Sequence, residues 1–259
     1  MANTSPKYNE KYRIFDVFTE KQLVEIKDYC RGLNLQDGVA SQILSNYAQD
    51  PEKYALHRMA KKNQEAYDME TVLYNKIKTS IFNQDAAWQF WTTAHDITRP
   101  MYSQMDVGGY YKPHFDHPQG TGMFSTTIFL DDPDTYEGGE LEIYADGKVE
   151  SFKLDAGQAV TYETGLAHQV KEVTSGQRRV LVFWAKTQST NFETTYKIRE
   201  YVIEQLKYAS PASPHGYYPL CVEDYTTDLE EFANKPHVKN TIELNKILRQ
   251  EYINNKLST

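Results

Sequence analysis

The hydrophobic period of this chain switches from helical spacing to two and back again, a pattern that fits a sheet flanked by helices. From about residue 100 to 187 apolar residues alternate and turn residues interrupt them. Phe124–Leu130 is rich in β-branched and aromatic residues and stops at Asp131-Asp132-Pro133-Asp134. Glu140–Tyr144 follows Gly138-Gly139, Asp146-Gly147 is a two-residue hairpin signal, and Val149–Leu154 returns. Asp155-Ala156-Gly157 then turns into Ala159–Tyr162. Arg179–Lys186 is apolar on both faces and reads as a central strand. Several short strands at near-regular spacing predict a β-sandwich or barrel such as a jelly roll.

Helical signals lie on either side. Thr19-Glu20-Lys21-Gln22 has the spacing of a capping box, in which hydroxyl and amide satisfy orphan backbone donors. Leu23, Ile26 and Tyr29 then share a face, and Gly32 offers a stop. A second helix is expected over roughly 64–82, with Val72, Leu73, Ile77 and Ile81 as its stripe, whereas 34–62 has no consistent period. Beyond the strands, Tyr196, Ile198, Val202, Ile203 and Leu206 mark one helix, and Ile242, Leu244, Ile247, Leu248 and Ile253 another. The segment Ser210–Pro219 between them is too rich in Pro and Gly to be regular. The chain thus divides into an N-terminal helical segment (1–98) packing on the core, a core (99–188) and a C-terminal helical extension (189–259), an α+β organisation without internal repeats.

Composition narrows the function classes. With 259 residues, 40% of them apolar and 25% charged, the chain can bury a sizeable core. A net charge of -8 disfavours non-specific phosphate binding, so no nucleic-acid partner is expected. Cys30 and Cys221 have neither metal-ligand spacing nor a disulfide framework and read as reduced thiols. The start, MANTSPKYNEKYR, has no apolar signal core, and the longest apolar run, Val180–Ala185, is strand-sized against the ~18 residues a membrane span requires. A soluble cytoplasmic protein without a membrane partner is the expectation. The twenty tyrosines suit packing at core edges or the lining of a peptide or sugar groove.

The chemistry concentrates in Gly108–Pro118. Residues two apart on a strand share a face, so His114 and Asp116 aim an imidazole and a carboxylate at one point. Two His and one carboxylate on one face hold iron(II) with positions left open. His168, just after a strand, is the third candidate. A lone His-x-Asp is common by chance, and there are seven histidines. Among the others, His95 adjoins Asp96 and would diverge from it on a strand, and His117 is out of the two-residue phase. His57, His215 and His237 lack a suitably spaced carboxylate. Ten residues after His168 stands Arg178, which by alternation shares a face with Val180, Val182 and Trp184. An inward arginine there needs an anion, and its planar fork suits a carboxylate; the other reading is that Arg178 and Arg179 are both solvated where the strand begins.

His-x-Asp, a distal His and a basic residue ten positions on resemble the 2-oxoglutarate-dependent oxygenases. The context resembles their prolyl 4-hydroxylase-like branch, and within it the PKHD-type hydroxylases. The matching pieces, in order, are GGYYKPHFD (108–116), STTIFLDD (125–132), YEGGELEIY (136–144), AGQAVTYETGLAHQV (156–170) and SGQRRVLVFW (175–184). The likeness covers about 100–187; the N-terminal helices are similar in arrangement only, and the tail beyond about 190 has no match. It implies a double-stranded β-helix, a jelly-roll variant, with flanking helices. It implies iron(II) on His114, Asp116 and His168. It implies 2-oxoglutarate gripped by Arg178, with Tyr111 and Trp184 on the pocket wall and Thr127 as a further hydrogen-bonding candidate. Dioxygen is the second co-substrate, and ascorbate an optional reductant. The implied reaction is hydroxylation of a prolyl or other residue in a peptide or protein, with release of succinate and carbon dioxide; a free amino acid or small metabolite is the alternative substrate. One departure is Met105, nine residues before His114, where the family usually has a tyrosine; Tyr102 or another hydroxyl would have to compensate. A cupin-like metal enzyme that ignores 2-oxoglutarate and a non-catalytic jelly-roll binding module are the rival classes.

Overall fold

The computed structural model describes residues 11–38, 59–67, 69–84, 88, 92, 94–116, 124–187 and 228–257. The expected helix around 196–206, the Ser210–Pro219 segment and Cys221 lie outside the described residues. In chain order the first elements are β1 (Tyr12–Asp16), α1 (Glu20–Arg31), β2 (Gln36–Asp37), β3 (Lys61–Lys62), β4 (Gln64–Ala66) and α2 (Thr71–Gln84). Then come β5 (Ala94–Ile97), β6 (Met101–Met105), β7 (Tyr110–His114), β8 (Phe124–Phe129), β9 (Glu137–Gly138) and β10 (Leu141–Ala145). The remainder are β11 (Lys148–Phe152), β12 (Gln158–Glu163), β13 (His168–Val170), β14 (Val173–Ser175), β15 (Arg178–Thr187), α3 (Leu229–Asn234) and α4 (Pro236–Leu257).

α1 begins where its sequence signal lies. The Thr19 hydroxyl accepts from Gln22 N, and the Gln22 side chain accepts from Thr19 N at 2.9 Å, a complete capping box. α2 starts at Thr71 rather than near 64, because Gln64–Ala66 pairs with β6 and β2 instead. Local helix preference yields there to sheet hydrogen bonds. Leu73, Ile77 and Ile81, four apart, form the buried stripe; Val72 lies off it and is 67% exposed.

The strands form two antiparallel sheets and a small ribbon. The larger runs β1-β12-β8-β15-β6-β4-β2, with β5 pairing the far end of β15. The smaller runs β11-β10-β13-β7-β3, and β9 pairs β14. β15 is central as expected: β8 flanks one side, β6 and β5 the other, and Leu181 and Phe183 are fully buried. The β10–β11 hairpin turns on Asp146 and Gly147, both with positive φ, the backbone that an Asp-Gly pair tolerates.

Four layers result. α1 and α2 cover the outer face of the larger sheet, where Ile26, Ile77 and Ile81 meet Phe15, Ile128 and Phe183. Phe129, Val160 and Val180 of that sheet face Leu141, Ile143 and Val170 of the smaller one across a second core. α3 and α4 lie outside the smaller sheet, where Phe232 and Val238 pack with Phe115 and Ala167. The face-to-face sheets leave a gap between them that both polar and apolar side chains line.

Candidate metal centre

His114 closes β7, His168 opens β13, and the two residues are direct partners in the antiparallel pair. Their ring centroids are 4.2 Å apart. His114 Nδ1 lies 2.7 Å from Lys112 O, and His168 Nδ1 lies 2.9 Å from Leu166 O. A carbonyl only accepts, so each Nδ1 carries the proton and each Nε2 presents a lone pair. Both lone pairs meet Asp116 Oδ1, at 3.9 Å from His114 Nε2 and 3.7 Å from His168 Nε2. Asp116 lies two residues past the end of β7 yet keeps the predicted convergence with His114. Its second oxygen, Oδ2, accepts from Ser125 Oγ at 2.8 Å and from Trp184 Nε1 at 3.1 Å, which fixes the carboxylate. One donor atom from each of the three residues falls within 4.8 Å of the others. Burial first, and then the nearby His168, push the His114 imidazole well below its ordinary pKa, so it stays neutral and able to ligate.

Tyr111 stacks on His114 with centroids 3.4 Å apart and an interplanar angle of 16°. Three residues apart, the two would face opposite ways on a regular strand. A bulge in the β7–β13 pairing, where Tyr111 to His114 opposes only Val170 to His168, turns both to one side. These side chains line a cavity of about 310 Å³ between the two sheets, together with Thr127, Tyr162, Arg178 and Trp184. A larger groove of about 660 Å³ runs between α1 and α2, away from these residues.

The profile of the 2OG-Fe(II) oxygenase superfamily matches residues 100–186. A PKHD-type hydroxylase of Prochlorococcus marinus (strain NATL2A) is 34% identical over 152 residues, which is 56% of this chain and 69% of that protein. The chain belongs to this family of iron(II)- and 2-oxoglutarate-dependent oxygenases. Its PKHD-type relatives extend further: the one from Prochlorococcus marinus (strain NATL1A) is 32% identical over 157 residues, 60% of this chain and 64% of its own length. The one from Maricaulis maris (strain MCS10) is 42% identical over 95 residues, 35% and 43% of the two chains. Among solved structures, a Pseudomonas putida prolyl-4-hydroxylase aligns with TM-score 0.50 at 15% identity, over 69% of this chain and 94% of that one. A Trichoplax adhaerens prolyl hydroxylase, solved with a hypoxia inducible factor peptide fragment, gives 0.51 at 14% identity, over 68% and 84%. The fold is therefore that of the oxygenase jelly rolls. The chain is a 2-oxoglutarate-dependent dioxygenase, and the cupin-like and non-catalytic rivals fall away.

In this PKHD-type oxygenase the arginine pair resolves by alternation. Arg179 turns outward, and its Nε donates to Asp131 Oδ2 at 2.9 Å and to Oδ1 at 3.1 Å. Arg178 turns into the cavity, is 2% exposed, and among the described residues its Nε has no hydrogen-bond partner. The solvated reading of Arg178 is thereby corrected: its side chain enters the space between the two sheets and is buried there, with Met105 of β6 as its neighbour across the pairing. The Tyr136 hydroxyl, close enough for Arg178 to act on its acidity, is likewise buried without a partner among the described residues. A buried cation and an orphan hydroxyl side by side fit a carboxylate. The two histidines and the aspartate fit iron(II).

Tyr102 does not replace the tyrosine missing at 105. It belongs to the core under α1 and α2, with its hydroxyl donating to Gln104 Oε1 at 3.1 Å. Met105 is the Cα partner of Arg178 and lines the cavity. Tyr136 and Tyr162 both lie close enough to act on the Arg178 charge, which sequence reasoning missed; Tyr162 also lines the cavity, with its ring centroid 5.2 Å from that of His168. Gly139, noted in the sequence only as preceding Glu140–Tyr144, has φ +68. A Cβ there would stand 2.9 Å from Arg178 Cδ, so the glycine leaves the path along which the arginine enters.

Also missed was the wall formed by β3 and β4. Lys61 on the smaller sheet pairs with Glu65 on the larger one, closing one side of the gap. Asn63 Nδ2 donates to Glu65 Oε1 at 2.7 Å, and Tyr67 OH donates to Oε2 at 2.6 Å. Lys61 Nζ also sits 4.8 Å from the Tyr111 ring centroid. No local signal distinguishes such a polar run from a solvated loop; only the long-range pairing of these strands buries it.

Proposed function

We propose that this oxygenase hydroxylates an unactivated C–H bond, in a prolyl or other residue of a peptide or protein, with release of succinate and carbon dioxide. When bound, iron(II) and 2-oxoglutarate supply the oxidising chemistry, with dioxygen as the other co-substrate and ascorbate as an optional reductant. The observation that carries the reading is one cavity holding both the His114, Asp116 and His168 donor set and the partnerless Nε of buried Arg178. We assign the three residues as iron ligands and Arg178 as the grip on the far carboxylate of 2-oxoglutarate. Tyr136 and Tyr162 stand where a hydroxyl can assist, and Thr127 lines the same cavity. Tyr111 buttresses the His114 ring, and Trp184 orients Asp116 through its indole N–H. The protein's own work is orientation: fixed tautomers, a tethered carboxylate and a cavity in whose wall Lys61 and Glu65 already neutralise each other. No side chain is required as a general base.

The two facing antiparallel sheets support a double-stranded β-helix core over 99–188, to which 1–98 adds strands β1–β5 as well as α1 and α2, with 189–259 as a flanking segment. A peptide substrate accords with the Trichoplax adhaerens enzyme, solved with a peptide fragment. No helix among the described residues is long and apolar enough to cross a membrane, which accords with cytoplasmic work on a dissolved substrate. The test is an iron(II)-dependent succinate-release assay across prolyl peptides, other peptides and free amino acids, with mass analysis of the product. A gain of one oxygen atom on a peptide supports the proposal; turnover of free amino acids alone moves the substrate to a small metabolite. Undiminished succinate release by His114→Ala or Asp116→Ala would rule out the assigned iron site.

A further inference from the structure

The C-terminal helices touch the chain beside every assigned ligand. Phe115, between His114 and Asp116, points away from the cavity, and its ring lies 5.7 Å from that of Phe232 on α3. Ala167, immediately before His168, is fully buried in the same cluster as Leu229, Phe232 and Val238. The turn leading to His168 carries Gly165, where a Cβ would stand 1.7 Å from Asn245 Nδ2 of α4; Asn245 fills space that only a glycine leaves open. That same turn places Leu166 O, the acceptor that sets the His168 tautomer. Further along α4, Arg249 pairs with buried Glu163 at the end of β12, and its guanidinium lies 5.5 Å from the ring of Phe124. Phe124 precedes Ser125, which holds Asp116. The oxygenase profile ends at residue 186, well before these helices.

We infer that α3 and α4 act as a brace that sets the geometry of the iron ligands, with Phe232 and Asn245 as positioning residues for a metal they never touch. The inference rests on the iron-site assignment above. If the helices merely covered an apolar sheet face, their loss would lower stability alone. A brace adds a second consequence: the Phe115 and Gly165 backbones shift, the two Nε2 atoms and Asp116 Oδ1 lose convergence, and metal affinity falls at unchanged folded population.

The test is calorimetric titration of the full-length protein with cobalt(II), a stand-in for iron(II) that needs neither substrate nor turnover, alongside thermal denaturation. Phe232→Ala and Gly165→Ala are expected to weaken cobalt(II) binding about tenfold, in the range typical of residues that orient metal ligands. Asn245→Ala alone, which empties the space against Gly165, is expected to weaken binding as well, and the double variant Gly165→Ala/Asn245→Ala, in which the added methyl takes that space, recovers most of the loss. Ile81→Ala, fully buried on the far side of the larger sheet, lowers the melting temperature but leaves cobalt(II) affinity within twofold of the parent. Phe232→Leu substitutes if Phe232→Ala does not fold. Unchanged affinity in the brace variants, or an equal loss in Ile81→Ala, would overturn the inference while leaving the iron site standing. Failure of the parent protein to bind cobalt(II) would remove the iron-site assignment and the brace together.

Discussion

His114 is buried with its imidazole neutral, and that has a consequence for stability. Burial, then the neighbouring His168, lowers its pKa in the fold well below the ordinary value near 6.5. The unfolded chain therefore binds a proton below about pH 6.5 that the folded chain refuses, so stability rises with pH through that window and is lost as pH falls. Urea unfolding of the metal-free protein is expected to give a constant midpoint above about pH 7 and a falling one below about pH 6, with a shallower fall in His114→Gln. An equal slope in both proteins would contradict the assignment. Glu65 makes a second residue-level case. It neutralises Lys61 and accepts from Asn63 and Tyr67, so Glu65→Ala leaves a buried ammonium without its counter-charge. Breaking such a pair from one side costs about 3–5 kcal/mol, measurable by urea denaturation; a loss under ~1 kcal/mol would mean that water reaches Lys61 freely. The proposed ligands and Arg178 were legible by two routes: His114 and Asp116 through their two-residue spacing on one strand, His168 and Arg178 through the family resemblance that their ten-residue separation completes. Tyr136, Tyr162, Lys61 and Glu65 were not, since nothing in their own neighbourhoods says which way they point.

Elements divide the same way. β15 and the β10–β11 hairpin announce themselves locally, through a two-sided apolar run and an Asp-Gly pair. α1 does so through its capping box, with Ile26 and Cys30 on the buried face. Burial also pushes the Cys30 thiol up to about 12, which accords with an inert core thiol. β3 and β4 have no such signature. Lys61-Lys62 and Gln64-Glu65-Ala66 become strands only because β7 and β6 offer edges to pair with, and so the predicted helix start moved to Thr71. The β7 bulge is equally invisible in sequence, yet it lets Tyr111 reach the face of His114. The ribbon of β9 and β14 is followed directly by Gly139, whose missing Cβ leaves room for Arg178. Gly139→Ala is expected to displace that arginine and raise the apparent KM for 2-oxoglutarate roughly tenfold, as the loss of a charge-assisted hydrogen bond of about 1.5 kcal/mol would do. An unchanged KM would show that the arginine reaches its partner by another path.

At the scale of the whole molecule, two facing sheets supply the site and two pairs of helices enclose it. The smaller sheet carries both histidines, the larger carries Arg178 and the groups that hold Asp116, and the cavity lies between them. The proposed metal and keto-acid sites thus draw on opposite layers, and the packing of the two sheets brings their residues to one cavity. The switch of hydrophobic period made this layered plan readable, while the order of strands within each sheet depended on pairings between segments far apart in the chain. The direct test is anaerobic titration of the protein with iron(II) and then 2-oxoglutarate, followed by the visible absorption that a bound keto-acid chelate gives. The parent protein is expected to develop the band at one equivalent of iron, His168→Ala to lack it, and Arg178→Ala to reach it only at about tenfold or more higher 2-oxoglutarate. A band of equal strength and equal keto-acid dependence in all three proteins would contradict the site described for this chain.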